Sequence, residues 1–170
     1  MDVHLEFERK WLVRELPALP YDRVLRMRQG YIEQDGQWVR IREAFVAQGG
    51  PGNGETSYVL CRKVRKGIGP VEMETPLSAD AFTLLWVLCN RNQVLKTRHE
   101  WRDPNGQLWE FDVYAGPLTG LFTLELELAA PDEPVELPRA ISAVCVREVT
   151  GDSRWSNRAL ARGGLPDLPT

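Results

Sequence analysis

The sequence predicts a mainly β (α+β) fold, in which eight successive strands form an antiparallel meander or barrel decorated with a few short helices. Three observations carry that expectation. Apolar and charged residues alternate through eight segments of strand length. Tight-turn dipeptides, Asp35-Gly36 and Asn105-Gly106, lie between two pairs of these segments and read as hairpins. Helical periodicity is confined to three short stretches.

The strand segments are residues 4–13, 24–32, 37–43, 57–63, 71–76, 94–102, 107–114 and 121–128. Ser78 can cap a helix from Ala79 to about Arg91, with Phe82, Leu85, Trp86, Leu88 and Cys89 on one broad face. Pro138 can open a second helix over residues 139–147. Asp152 or Ser153 can start a third that ends near Gly163. The Gly-rich stretch 47–56 reads as a connection inside the domain. One domain over residues 1–162 is expected, with 163–170 a flexible tail.

Composition narrows the function classes. A chain of 170 residues has room for one domain with a full core. No run of 18 apolar residues exists, so no transmembrane helix and no membrane partner are expected. The first residues are charged and lack an apolar signal segment. Cys61, Cys89 and Cys145 are scattered, as free thiols in a reducing cytoplasm would be, and have no zinc-site spacing. A net charge of −3 argues against nucleic acid as a partner.

The informative feature is how charge is segregated. Side chains alternate faces along a strand. Glu6, Glu8 and Lys10 share one face of the first strand. Arg40 and Arg42 share one face of the third, and Glu72 with Glu74 one face of the fifth. Lys96, Arg98, Glu100 and Arg102 fall together on the sixth. Glu110 and Asp112 oppose Trp109, Phe111 and Val113 on the seventh. Glu125 and Glu127 oppose Leu124, Leu126 and Leu128 on the eighth. These charged faces could meet water over an apolar core, as in an ordinary antiparallel sheet. The polar positions, however, are almost all Glu, Asp, Lys or Arg, which favours a second arrangement. In it the strands close and the charges line the interior, with Lys10, Arg28, Arg40, Arg42, Lys63, Lys96 and Arg98 as its bases. Buried charges on that scale need partners or ions. A polyanion carrying divalent cations suits them, because Arg and Lys grip phosphate while carboxylates hold Mg²⁺ or Mn²⁺.

Glu6-Phe7-Glu8-Arg9-Lys10 is an E-x-E-x-K signature. With RQGYI (28–32), VRIR (39–42), SYVLCRK (57–63), EMET (72–75), LKTR (95–98), GQLWEFDVY (106–114), LELEL (124–128) and REVTGDSRWSNRALA (147–161), it resembles the triphosphate tunnel metalloenzymes, or CYTH superfamily. The resemblance implies an eight-stranded closed tunnel with a C-terminal plug helix, two metal ions (Mg²⁺ or Mn²⁺) and a small-molecule triphosphate substrate. It implies metal at Glu6, Glu8, Glu125 and Glu127, with Glu72 and Glu74 a further acidic pair. It implies phosphate binding by Lys10, Arg40, Arg42, Lys63 and Arg98. Lys96 and Arg28 join these in the charged lining, and Arg154 or Arg158 can reach inward from the plug helix. One departure stands out: Pro70 occupies a position where family members often carry Arg, and Arg65 or Lys66 are the basic residues nearest to replace it.

The expected activity is metal-dependent hydrolysis of a triphosphate, inorganic triphosphate first, with Glu6, Glu8, Lys10, Glu125 and Glu127 as the catalytic set. Adenylate cyclase, thiamine triphosphatase and a non-catalytic polyphosphate or nucleotide binder are the alternatives. Glu110 and Asp112 either bind metal or organise the bases through salt bridges. Glu100 and Arg102 are expected at solvent, and Trp86 in the core. His4 and His99 lack metal-ligand spacing, and no phosphate-binding glycine loop or placed nucleophile is present, so water is the expected nucleophile. The protein is expected to be a monomer or a homodimer.

Overall fold

The computed structural model describes residues 2–5, 7–66 and 69–166. These form one antiparallel sheet and three short helices. The strands are β1 (Asp2–Leu5), β2 (Phe7–Val13), β3 (Arg23–Gln34), β4 (Gln37–Gln48), β5 (Thr56–Lys66), β6 (Gly69–Pro76), β7 (Gln93–Arg102), β8 (Leu108–Ala115), β9 (Phe122–Leu128) and β10 (Cys145–Glu148). The helices are α1 (Ala79–Leu88), α2 (Arg139–Val144) and α3 (Asn157–Gly163). The sheet order is β1-β6-β5-β4-β3-β7-β8-β9-β2-β10. Among the described residues, no helix is long and apolar enough to cross a membrane.

Local chemistry explains most boundaries. Asp35 and Gly36 both take positive φ (53° and 73°) and join β3 to β4 in a two-residue turn, with Gln34 facing Gln37. Asn105-Gly106 is not such a turn. The link between β7 and β8 spans residues 103–107, and Asp103 organises it by accepting from the backbone N–H groups of Asn105 and Gln107 and from the Trp109 indole. Ser78 caps α1 through the Ala81 N–H at 3.1 Å. That helix stops at Leu88, with Asn90 at positive φ two residues on.

The second helix is shorter than expected. α2 ends at Val144, and residues 145–148 form β10 on the edge of β2, with Cys145 facing Val13 and Glu148 facing Trp11. Pairing with an open strand edge outweighs helix propagation through Val144-Cys145-Val146, where β-branched residues favour extended backbone. The third helical stretch splits in two. Asp152 caps a 3₁₀ turn over Ser153–Trp155, and Ser156 caps α3 through the Ala159 N–H.

The apolar faces of the strands point outward and are covered. Trp109, Phe111, Leu124 and Leu126 pack with Trp11 and Val13 under Ile141 and Val144 of α2. Ile41, with the partly buried Tyr58 and Leu60, packs under Phe82 of α1. Trp86 joins that cluster, as the sequence led us to expect. Trp155 and Leu160 anchor the 3₁₀ turn and α3 against Leu12, Val94 and Tyr114. Each large side chain so buried contributes roughly 1.5–3 kcal/mol.

Gly30 is where α1 comes nearest the sheet. A Cβ there would lie 2.4 Å from Cys89 Sγ and 2.7 Å from Cys89 Cβ. Gly30→Ala is expected to lift the end of α1 and to cost about 1–3 kcal/mol, the usual range for overpacking. A urea or thermal unfolding curve measures it; a variant as stable as the native protein would mean that the helix end yields freely.

A charged cavity as the candidate active site

The opposite faces of the strands line a cavity of about 850 Å³. Among the described residues, eight cations and seven carboxylates line it, so its charge is close to balanced. Register explains the convergence. Lys10 faces Glu125, and Glu8 faces Glu127, across β2 and β9. Arg40 faces Tyr31 on one side and Cys61 on the other, and Lys63 faces Glu72. Arg98 faces Asp112 across β7 and β8.

The deepest part is an ion-pair network. Arg98 donates to both Asp112 oxygens at 2.8 and 2.7 Å, to Glu125 Oε2 at 2.7 Å and to Glu110 Oε2 at 2.5 Å. Lys10 Nζ donates to Glu125 Oε1 at 2.7 Å, and Lys96 Nζ to Asp112 Oδ2. Burial works against the carboxylate of Glu125, yet Lys10, Arg98 and Lys96 hold it well below the usual range. Asp112 is depressed in the same way by Arg98 and Lys96. Lys10 is held above its ordinary pKa, because Glu125 overcomes its burial. Burial and Arg98 instead pull Lys96 down to about 8, against the attraction of Asp112. Glu110 is pushed up by burial despite Arg98. Glu110 and Asp112 therefore both serve as salt-bridge partners of the bases; Asp112 lies beneath the lining, 1% exposed.

A second group sits on β4, β5 and β6. Arg40 Nη2 lies 3.3 Å from Glu74 Oε1 and 3.6 Å from Glu72 Oε2. Arg42 Nη2 is 3.5 Å from Glu74 Oε1, and Lys63 Nζ is 2.8 Å from Glu72 Oε1. Burial opposes the Glu72 carboxylate, but Arg40 and Lys63 keep its pKa low. Burial and the adjacent Arg40 lower the Arg42 guanidinium. One donor atom each from Cys61, Glu72 and Glu74 falls within 4.8 Å of the others, a spacing that fits a metal ion.

The cavity thus gathers Glu8, Lys10, Arg40, Arg42, Lys63, Glu72, Glu74, Lys96, Arg98, Glu110, Glu125 and Glu127. Glu6 lies outside the described residues. Two expected residues are elsewhere. Arg28 is on the outer face, where it forks onto Glu43 at 2.7 and 2.8 Å and lies 5.2 and 4.9 Å over the Phe82 and Trp86 rings. The alternation in RQGYI turns Gln29 and Tyr31 inward and so turns Arg28 out. Arg154 is exposed and bound to Asp152 at 3.0 and 2.7 Å. Arg158, the other candidate on the plug segment, lines the cavity instead. The His99 ring lies edge-on to Tyr21. Glu100, expected at solvent, is half-buried instead, because Arg23 lies 3.7 Å from its carboxylate; Arg102 is exposed as expected.

Sequence reasoning missed Gln29, Tyr31, Trp38, Cys61 and Arg62 in the lining. Tyr31 is buried, its hydroxyl accepts from Gln29 Nε2 at 3.0 Å, and burial pushes its pKa up to about 12. Strand parity from Arg40 identifies Tyr31, since the two-residue turn after Gln34 sets the register.

Known proteins resemble the chain in sequence and in fold. The chain is 33% identical over 162 residues to an inorganic triphosphatase of Nitrosomonas europaea, covering 92% of this chain and 96% of that one. The chain belongs to the inorganic triphosphatase family. A second triphosphatase of the family, from Acetivibrio thermocellus, is 30% identical over 159 residues and covers 92% and 93%. A crystal structure of an inorganic triphosphatase superposes with a TM-score of 0.64 at 29% identity, over 98% of each chain. A Pyrococcus horikoshii protein, 22% identical with a TM-score of 0.53 over 75% of this chain and 80% of that one, shares the fold alone. No family model matches the chain.

Proposed function

We propose that the chain hydrolyses inorganic triphosphate inside a closed tunnel with the help of two divalent metal ions, Mg²⁺ or Mn²⁺. One observation carries this reading: phosphate-gripping cations and carboxylate pairs interleave around a single cavity in a member of the inorganic triphosphatase family. Closure of the tunnel is supported by β1 pairing with β6 while β2, one residue further along, pairs with β9. The strand at one end of the sheet and the strand next to the other end thereby belong to neighbouring parts of one segment. The 3₁₀ turn and α3, whose residues line one side of the cavity, act as the plug. We read residues 1–162 as one domain, working in the cytoplasm as a monomer or homodimer.

Glu6, Glu8 and Glu127, with Glu72 and Glu74, are the proposed metal ligands. Glu125 joins them once Lys10 or Arg98 transfers to a phosphate oxygen. Oxygen donors of this kind suit Mg²⁺ and Mn²⁺. Bound there, the cations neutralise the polyphosphate and acidify a water. Lys10, Arg40, Arg42, Lys63, Lys96 and Arg98 hold the phosphates, exchanging carboxylate partners for phosphate oxygens. In the reaction water bonds to the terminal phosphorus and gives up a proton to solvent, the bridging P–O bond breaks, and diphosphate leaves with the bridging oxygen. Such a transfer relies on positioning and on charge stabilisation more than on covalent help.

The test is a panel of inorganic triphosphate, ATP and thiamine triphosphate, each with Mg²⁺ or Mn²⁺ and again with excess chelator. Phosphate release from inorganic triphosphate is expected to exceed that from the others and to vanish with chelator. Cyclic nucleotide from ATP, or turnover that survives chelation, would count against the reading.

A further inference from the structure

Lys10, Arg40, Arg42, Lys63, Lys96 and Arg98 each lie within ion-pair distance of a carboxylate. Arg158 of α3 is held in another way. Its guanidinium lies 5.4 Å over the ring of Trp38, and both residues line the cavity. Trp38 shares the inner face of β4 with Arg40 and Arg42 and precedes Arg40 by two positions. Two residues advance roughly 6.6–6.8 Å along a strand, so the indole stands one side-chain step beyond the two arginines. On β5 Cys61 faces Arg40, and because that strand is antiparallel, Lys63 continues toward the level of Trp38. The row of bases Arg42, Arg40 and Lys63 therefore leads to the indole, and the indole is covered by a residue of the plug segment.

An indole at the end of a row of phosphate-binding cations is a stacking surface for an aromatic group carried by the phosphates, since every such ring has a π-face. Here a guanidinium already occupies it, drawn by the negative face of the ring. An organic ring would have to displace that cation, whereas a bare triphosphate would not. We propose that Arg158 is a specificity-determining residue: by covering Trp38 it excludes triphosphates that carry an aromatic group and leaves the cavity to inorganic triphosphate. The inference rests on the proposed triphosphate reading and deepens it by naming what selects the substrate. A mere anchor for α3 would not require Arg158, because Trp155 and Leu160 are already buried and Asn157 Oδ1 accepts from the Tyr114 hydroxyl at 2.7 Å.

Steady-state kinetics and calorimetric titration test the proposal, with inorganic triphosphate, thiamine triphosphate and ATP, each with Mg²⁺. The proteins are the native one, Arg158→Ala, Arg158→Ala/Trp38→Phe and Arg158→Ala/Trp38→Leu. Arg158→Ala is expected to raise kcat/KM for the two organic substrates about tenfold in absolute terms, mainly through KM, the size of effect that freeing a stacking face gives. The Phe variant keeps a ring and should retain most of the gain; the Leu variant should lose it. Organic substrates handled no better by Arg158→Ala than by the native protein overturn the exclusion. So does a gain that survives in the Leu variant, or an equal fall for all three substrates, which would make Arg158 a phosphate contact. A native protein that prefers an organic triphosphate overturns it as well. Binding without phosphate release would remove the hydrolase reading, and the measured affinities would still decide the role of Arg158. Failure of the native protein to bind any of the three would remove both.

Discussion

Arg98→Ala is expected to be the most destabilising single change in the chain. Arg98 is 9% exposed and serves Asp112, Glu110 and Glu125 together. Without it three neighbouring carboxylates face one another with only Lys10 and Lys96 between them. Breaking a buried ion pair by removing one partner costs about 3–5 kcal/mol. Chemical denaturation at neutral pH should show a loss of that size. Its pH dependence gives a second check. Asp112 and Glu125 have folded-state pKa values below ordinary, so their stabilisation is fully present above the unfolded carboxylate range, about 4. It is lost as pH falls through the folded values. The stability gap between Arg98→Ala and the native protein should therefore narrow in acid. Glu110 adds to the closing: Arg98 restrains the rise that burial imposes on its pKa, so without Arg98 it takes up a proton at higher pH and relieves the variant as pH falls. A gap that stays constant down to pH 3 would mean that the network is not what holds these strands together.

The second large effect separates the two proposed roles of the lining. Glu8→Gln keeps the shape of the side chain and removes a negative charge opposite Glu127. It should cut the maximal rate of triphosphate hydrolysis sharply and raise the Mg²⁺ concentration needed. Arg42→Ala removes a guanidinium whose nearest carboxylate contact is the long one to Glu74 at 3.5 Å. A charge-assisted hydrogen bond contributes roughly 1.5–3 kcal/mol. Its loss corresponds to about ten- to hundredfold in apparent substrate affinity. The metal requirement of Arg42→Ala should stay unchanged. If Arg42→Ala handles triphosphate normally and Glu8→Gln keeps its metal response, both assignments fail.

Seven of the eight strand segments expected from alternation are present as single strands, because period-two segregation of charge from apolar bulk leaves few alternatives once both faces must be satisfied. The first, 4–13, instead falls on two strands, β1 and β2, because its two halves find different partners, β6 and β9. The same alternation located most of the candidate site. Where it failed, a longer-range partner decided the outcome. Arg28 looked like one more base in a basic strand, but Glu43 and the two rings of α1 offer it an outer berth. Residues 145–148 carry an ambiguous pattern, and only the open edge of β2 makes them a strand. Trp38 stands on the face of Arg40 and Arg42, and Cys61 on that of Lys63, so both were open to the same alternation and were missed because only charged residues were counted as lining. The choice between a solvated and an enclosed charged face likewise needed α1, α2 and the C-terminal segment to be placed over the apolar side.

The N-terminal strands have a consequence for biosynthesis. β2 leaves the ribosome well before its ladder partner β9, which follows only after six further strands and a helix. Lys10 waits for Glu125, 115 positions downstream. β1 in turn waits for β6. Until those segments emerge, a nascent chain exposes Trp11, Leu12 and Val13 on an unpaired edge. These strands therefore cannot fold in the order in which they are made, and pairings of such long range are slow to form. A chain truncated before β9 would leave that edge permanently open, so aggregation of the incomplete product follows from the order in which the ladder is assembled.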